Sequence, residues 1–205
     1  MRSSSSSPIE EPTVTRLSNP KLRKLEIGCG HRPTPDYIHN DVNAFEGVDI
    51  VGLPWEIDFP DGSLEEVLAL GVVEHLTYGQ VTDTFKNVHR MLEPGGAFYF
   101  DVPDVPVWCR YVVDHFEGRE IPFTIDHVFA TLYGWQRWPG DEHKSGWWRT
   151  RLEEELRNCG FLDLKFGVDL LLDKGHRRNR FMRPHDAHIY CCATKQGDAA
   201  GNAAR

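Results

Sequence analysis

The residues that invite chemistry are Glu26-Ile27-Gly28-Cys29-Gly30, with ten further residues separating Gly30 from Asp41. Glycines at such a turn let the backbone bend sharply and approach a ligand with no Cβ in the way. A carboxylate at Asp41 can accept hydrogen bonds from both hydroxyls of a ribose. A glycine turn with an acid at the end of the next strand suits a cofactor that contains a nucleoside. A dinucleotide fingerprint would need a third glycine three positions after Gly30, to let a helix pack closely. Pro33 stands there, with Pro35 close behind. Ten residues leave no room for a full helix before Asp41, and so none for a pyrophosphate at its N-terminus. A cofactor without pyrophosphate fits this loop better.

These residues need elements to hold them. Leu22, Leu25 and Ile27 form a short apolar run that reads as a buried strand feeding the turn. Tyr37–Val42, Val48–Val51 and Val67–Leu70 are the next strand candidates, with turn chemistry at Pro60-Asp61-Gly62-Ser63. Thr77 and Gln80 have the spacing of a capping box. Val81, Phe85, Val88 and Leu92 then share one helical face, and Pro94-Gly95-Gly96 is expected to stop that helix. Ala97–Val102 reads as a fifth strand. Thr150 and Glu153 suggest a second capping box, opening a helix with Leu152, Leu156 and Cys159 that closes at Gly160. Phe161–Val168 and His188–Ala193 are late strands. Alternating strands and helices imply a layered α/β fold. Ligands in such folds bind beyond the carboxyl ends of the strands. Gly28–Gly30, Asp41, Val51–Leu53, Leu70–His75 and Asp101–Asp104 should therefore converge on one edge.

At 205 residues with a net charge of −8, the chain has the length of one domain and an acidic balance. That balance argues against bulk binding of nucleic acid, which rests on neutralising phosphates. No apolar run reaches the roughly 18–20 residues of a membrane span. Met1-Arg2 followed by Ser3–Ser7 has no apolar h-region, so no secretory signal is expected. Cys29, Cys109, Cys159, Cys191 and Cys192 are odd in number and irregular in spacing, which fits a reduced, cytoplasmic setting. Residues 1–19 and 196–205 read as disordered tails around an ordered 20–195.

Leu25-Glu26-Ile27-Gly28-Cys29-Gly30 resembles motif I of the class I S-adenosylmethionine (SAM)-dependent methyltransferases. Phe59-Pro60-Asp61-Gly62-Ser63-Leu64-Glu65-Glu66-Val67 is similar to the loop and fourth strand of that family. Val73-Glu74-His75-Leu76 and Met91-Leu92-Glu93-Pro94-Gly95-Gly96 match its later landmarks. The nearest likeness is to small methyltransferase-domain proteins reading G-C-G-x-x-P-x-P-x-Y-x-x-x-D, here Gly28 through Asp41. His143-Lys144-Ser145-Gly146-Trp147, Leu152, Leu156 and Gly160-Phe161 continue it. The resemblance implies a Rossmann-like class I methyltransferase fold. Its sheet would be mostly parallel and seven-stranded, with the last strand antiparallel and the first helix short or missing. A helical, aromatic-rich insertion at about 104–148 would lie over the site.

It also implies roles. Glu26, Gly28, Cys29 and Gly30 would hold the methionine end of SAM, and Asp41 its ribose. Gly52 and Leu53 would line the adenine, while Leu70, Gly71 and His75 would flank the sulfonium. The family often places an acid after the third strand, where this chain has Gly52-Leu53-Pro54-Trp55-Glu56. The Leu53 backbone or a stacked Trp55 would have to serve there.

A sulfonium methyl is already activated, so its transfer chiefly needs alignment. A base helps where the nucleophile must shed a proton. His143, Asp104 and His127 are the foremost candidates, with Asp101 and His115 behind them. No metal site is expected. His185 and His188, with Asp186, have ligand-like spacing, but on a strand the two histidines point to opposite faces. Tyr133, Trp135, Trp138, Trp147 and Trp148 read either as a stacking platform or as the core of a lid. Lys174, Arg177, Arg178, Arg180 and Arg183 read either as an anion site or as a solvated loop. The activity implied is methyl transfer from SAM to oxygen or nitrogen of a small molecule or glycan. An RNA or protein methyltransferase and a non-catalytic SAM- or nucleoside-binding module are the alternatives. Oligomeric state stays open.

Overall fold

The computed structural model describes residues 22–174 and 187–197. The expectations for residues 1–19, for Arg177, Arg178, Arg180, Arg183, His185 and Asp186, and for 198–205 fall outside the described residues.

Seven strands form one sheet: β1 (Lys24–Ile27), β2 (Ile38–Asp41), β3 (Ile50–Val51), β4 (Leu64–Ala69), β5 (Leu92–Pro103), β6 (Asp163–Phe166) and β7 (His188–Thr194). Their order is β3-β2-β1-β4-β5-β7-β6. The pairs among β1 to β5 are parallel, and β7 runs antiparallel between β5 and β6. This is the mostly parallel sheet with an antiparallel last strand that the resemblance implied. The strand positions explain their composition. Central β1 reads Lys-Leu-Glu-Ile with its last three residues buried, whereas edge strand β6 alternates exposed and half-buried positions. No helix separates β1 from β2, so the first helix is indeed missing.

α1 (Tyr78–Met91) opens on the expected capping box: Gln80 N–H donates to Thr77 Oγ1 and Thr77 N–H to Gln80 Oε1. Its apolar stripe seats Phe85 against Phe98 and Phe100 of β5, with ring centroids 5.6 and 5.3 Å away. The helix ends earlier than its pattern suggests. Pro94 forces Glu93 towards extended backbone, so the turn to strand falls at Leu92. Pro94-Gly95-Gly96 lies within β5, beside the register shift between Leu64 and Glu66, with Gly95 at φ +85°.

α4 (Arg149–Asn158) also corrects an expectation. Its N-cap is Trp148, with no side-chain bond, and Thr150 already lies in the first turn. Glu153 pairs with Arg149 one turn back instead of reaching Thr150. Burial of Trp147 and its bridge to Asp104 set where this helix begins.

Between β5 and α4 lie α2 (Val105–Phe116) and α3 (Ile125–Tyr133), packed around Trp108 and Val128. Trp108 Nε1 donates to the Ala187 carbonyl at 2.6 Å, which ties α2 to the start of β7. The aromatic run does not form one platform. Trp147 is buried in the main core, Trp135 and Trp138 stand exposed beside Arg137, and Trp148 sits at the head of α4.

Candidate active site

The carboxyl ends of β1, β2, β4 and β5 do converge, and β7 delivers a further residue to that edge. Because β7 is antiparallel, its first residue, His188, pairs with Pro103 at the end of β5.

The first half of the site is built on β1 and β2. Gly28 and Gly30 have φ of +68° and +58°, the left-handed region that favours glycine. A Cβ on Gly28 would also meet Val72 Cγ2 at 2.5 Å. Cys29 is buried, and its N–H donates to the Asn40 carbonyl at 3.0 Å. The turn is clamped at both ends by carboxylates. Glu26 accepts from Thr34 N–H at 2.7 Å and Thr34 Oγ1 at 2.9 Å. Asp41 accepts from Gly30 N–H at 2.9 Å on one oxygen and from Asn43 N–H at 2.9 Å on the other. These bonds do the work of the missing helix, since they fix a loop with no periodic backbone ladder of its own. Beyond β3, Gly52 N–H donates to the Asp41 carbonyl, and Asn40 Nδ2 reaches the Ile50 and Gly52 carbonyls. Leu53 is 36% exposed at the same corner, whereas Trp55 packs against the core.

The second half lies past β4 and β5. Leu70 is packed with Tyr37, Leu68, Leu171 and Tyr190. Gly71, at φ +61°, donates its N–H to Asp101 Oδ1 at 2.9 Å. Asp101 Oδ2 lies 3.1 Å from His188 Nδ1, and both side chains are buried. Asp104 precedes α2 but makes no side-chain cap to it. Burial pushes its carboxyl above the usual range, with His188 opposing. His127 stacks on Phe123, and burial, then His188, lower its pKa. His143 is pushed down to about 4 by burial and then by His75. His75 is also lowered by burial, and its ring meets that of His143 edge-on at 4.7 Å. His115 stands apart from these groups. It is exposed near the end of α2, about 16 Å along the helix from Asp104 at 1.5 Å per residue.

Two groupings have no local signature. In sequence His188 has ligand-like spacing to His185, whereas its partner in the fold, Asp101, is 87 positions away. Glu74 belongs in sequence to a family landmark, and in the fold it stands beside His75 and His143.

A family model described as a methyltransferase domain matches residues 10–165, more than half of the chain. The chain belongs to the methyltransferase-domain family. None of the curated proteins matches it. Among solved structures, a phosphoethanolamine N-methyltransferase 2 of Haemonchus contortus superposes with a TM-score of 0.53 at 14% identity. The alignment covers 86% of this chain and 49% of that one, so this chain spans about half the length of the Haemonchus enzyme. A SAM-dependent methyltransferase of Archaeoglobus fulgidus gives 0.54 at 15% identity, covering 85% and 87%. A possible histamine N-methyltransferase of Thermotoga maritima gives 0.52 at 14%, covering 87% and 84%. At these identities the likeness is one of fold, and the fold is that of SAM-dependent methyltransferases.

The methyltransferase domain therefore presents two preorganised regions on one edge. One is a rigid glycine turn flanked by a buried carboxylate. The other is a half-buried group of imidazoles and carboxylates around His188. The first can hold a ligand rich in hydroxyls, and the second can orient a nucleophile and take its proton.

Proposed function

We propose that this methyltransferase domain binds SAM along Gly28–Gly30 and Asp41 and transfers its methyl group to oxygen or nitrogen of a small molecule. The observation that carries the reading is the Asp101–His188 pair on β5 and β7, separated from the glycine turn after β1 by the end of β4. Asp101 accepts from Nδ1–H of His188, which makes Nε2 the basic nitrogen. The acceptor's lone pair attacks the methyl carbon, the carbon–sulfur bond breaks, and S-adenosylhomocysteine leaves. The proton shed by the acceptor passes to His188 Nε2. Asp104 and His127 border the acceptor, and α2 and α3 cover it.

In this reading Asp41 binds the ribose hydroxyls, Gly52 and Leu53 the adenine, and Gly71 and His75 stand near the sulfonium. Glu26 acts through Thr34, by holding the turn in shape. A small acceptor is supported by the Haemonchus structure, which holds phosphomonomethylethanolamine together with S-adenosylhomocysteine. The sugar of a glycan offers the same kind of oxygen. A reducing, cytoplasmic setting is supported by five cysteines that form no disulfide, four of them buried. Among the described residues, no helix is long and apolar enough to cross a membrane.

Calorimetric titration with S-adenosylhomocysteine tests the reading, with wild type beside Asp41→Ala. Losing a charged acceptor should weaken binding by about 1.5–3 kcal/mol, or roughly ten- to a hundredfold. Absence of binding by the wild type would overturn it.

A further inference from the structure

Glu74, His75 and His143 bring one carboxylate oxygen and two imidazole nitrogens to within 4.8 Å of one another. Glu74 and His75 belong to the 3₁₀ turn Val73–His75 that follows β4, and His143 lies in the stretch between α3 and α4. The two segments are fastened together. Lys144 N–H and Ser145 N–H both donate to the Glu74 carbonyl, at 2.8 and 3.2 Å, and Ser145 Oγ donates to the Val73 carbonyl at 3.2 Å. His143 N–H donates to the Tyr133 carbonyl at 3.1 Å.

The His75 ring is tied to the backbone on one side. His75 Nδ1 faces the Glu142 carbonyl at 3.3 Å. The His143 ring meets the His75 ring edge-on, with centroids 4.7 Å apart. A histidine tied through one nitrogen is fixed in tautomer and orientation and offers its other nitrogen as an electron-pair donor. Carbonyl-backed histidines of this kind are the usual support of metal-bound imidazole.

We propose that Glu74, His75 and His143 form a binding site for one divalent transition-metal ion of the zinc type. Two nitrogens and one carboxylate oxygen suit zinc or iron(II). Calcium and magnesium, which prefer oxygen ligands throughout, fit them poorly. Ligand atoms about 2.1 Å from a tetrahedral ion lie about 3.4 Å apart, so the three need close by only an ångström or so. Glu74 is 5% exposed, and a cation beside it offsets the cost of keeping a carboxylate out of water. Three protein ligands leave the fourth position of a tetrahedral site open to water or to another ligand, as in catalytic rather than structural zinc sites. Metal binding here can be measured without SAM.

The test uses the tag-free chain, stripped with a chelator. Zinc is titrated in competition with a chromophoric chelator, and cobalt(II) is followed by its visible absorption. The expected result is one equivalent of each, with cobalt bands of a four- or five-coordinate site. Magnesium should not compete. Glu74→Gln, His75→Ala and His143→Ala should each weaken zinc by about a hundredfold or more. His115→Ala, exposed near the end of α2, should leave its affinity unchanged. If the ligand variants fail to fold by circular dichroism, the wild-type stoichiometry and cobalt spectrum decide. Lack of stoichiometric binding by wild type overturns the site, as does unchanged affinity in a folded His143→Ala variant. Titration of the zinc-free chain with S-adenosylhomocysteine separates this outcome from failure of the methyltransferase reading.

Discussion

His188 Nδ1 lies 3.1 Å from Asp101 Oδ2, while the other oxygen of the same carboxylate takes the Gly71 N–H at 2.9 Å. One buried acid therefore joins the ends of β4, β5 and β7. Asp101→Ala removes the acceptor for Gly71 and should cost about 1–3 kcal/mol of stability in urea denaturation. Asp101→Asn keeps an oxygen for Gly71 and should cost less. His188→Gln should lower kcat about a hundredfold, the low end for loss of a general base. Binding of S-adenosylhomocysteine should hold. A kcat unchanged in His188→Gln would exclude it as the base.

Gly28 stands where both the backbone and the space demand glycine. At φ +68°, with Val72 Cγ2 2.5 Å from where a Cβ would be, Gly28→Ala must strain the turn and displace Val72. The conformational part alone is about 1 kcal/mol. Thermal unfolding should register that loss, and S-adenosylhomocysteine affinity should fall with it. Gly52→Ala, with nothing within 4 Å of its Cβ, should leave thermal unfolding nearly unchanged.

The two threonines that look alike in sequence should behave differently. Thr77 accepts from Gln80 N–H as the cap of α1, so Thr77→Ala should cost about 1 kcal/mol. Thr150 caps nothing, and Thr150→Ala should be close to neutral in the same denaturant titration. An equal loss at both would contradict the Trp148 start of α4.

Stability should fall in mild acid. The His89 ring lies against Phe161, and burial followed by the charge of Lys195 lowers its pKa below the ordinary 6.5. In the unfolded chain it takes up a proton near 6.5, and in the folded chain only at lower pH. Between those values the unfolded state binds more protons, so stability is complete above about 6.5 and is lost as pH falls. His127 is shifted in the same direction. Urea midpoints at pH 7.5 and 5.0 should show the drop, and His89→Gln should reduce it.

The glycine turn, the short strands, the Thr77 cap and the strand-end acid at Asp41 could all be read along the chain. Each follows from conformational preferences and side-chain periodicity acting over a few neighbouring residues. The missing first helix was equally legible, because Pro33, Pro35 and the short distance to Asp41 leave no room for it. Where longer-range packing competes, local signals failed. Pro94-Gly95-Gly96 became a strand irregularity rather than a helix stop. Burial of Trp147 moved the start of α4 away from the capping pattern at Thr150 and broke up the row of tryptophans. The Asp101–His188 pair and the Glu74–His75–His143 group exist because an antiparallel strand enters beside β5 and the stretch after α3 returns to the end of β4. Contacts of that kind join residues with no local relationship. They depend on strand order and chain direction, which no short-range pattern specifies.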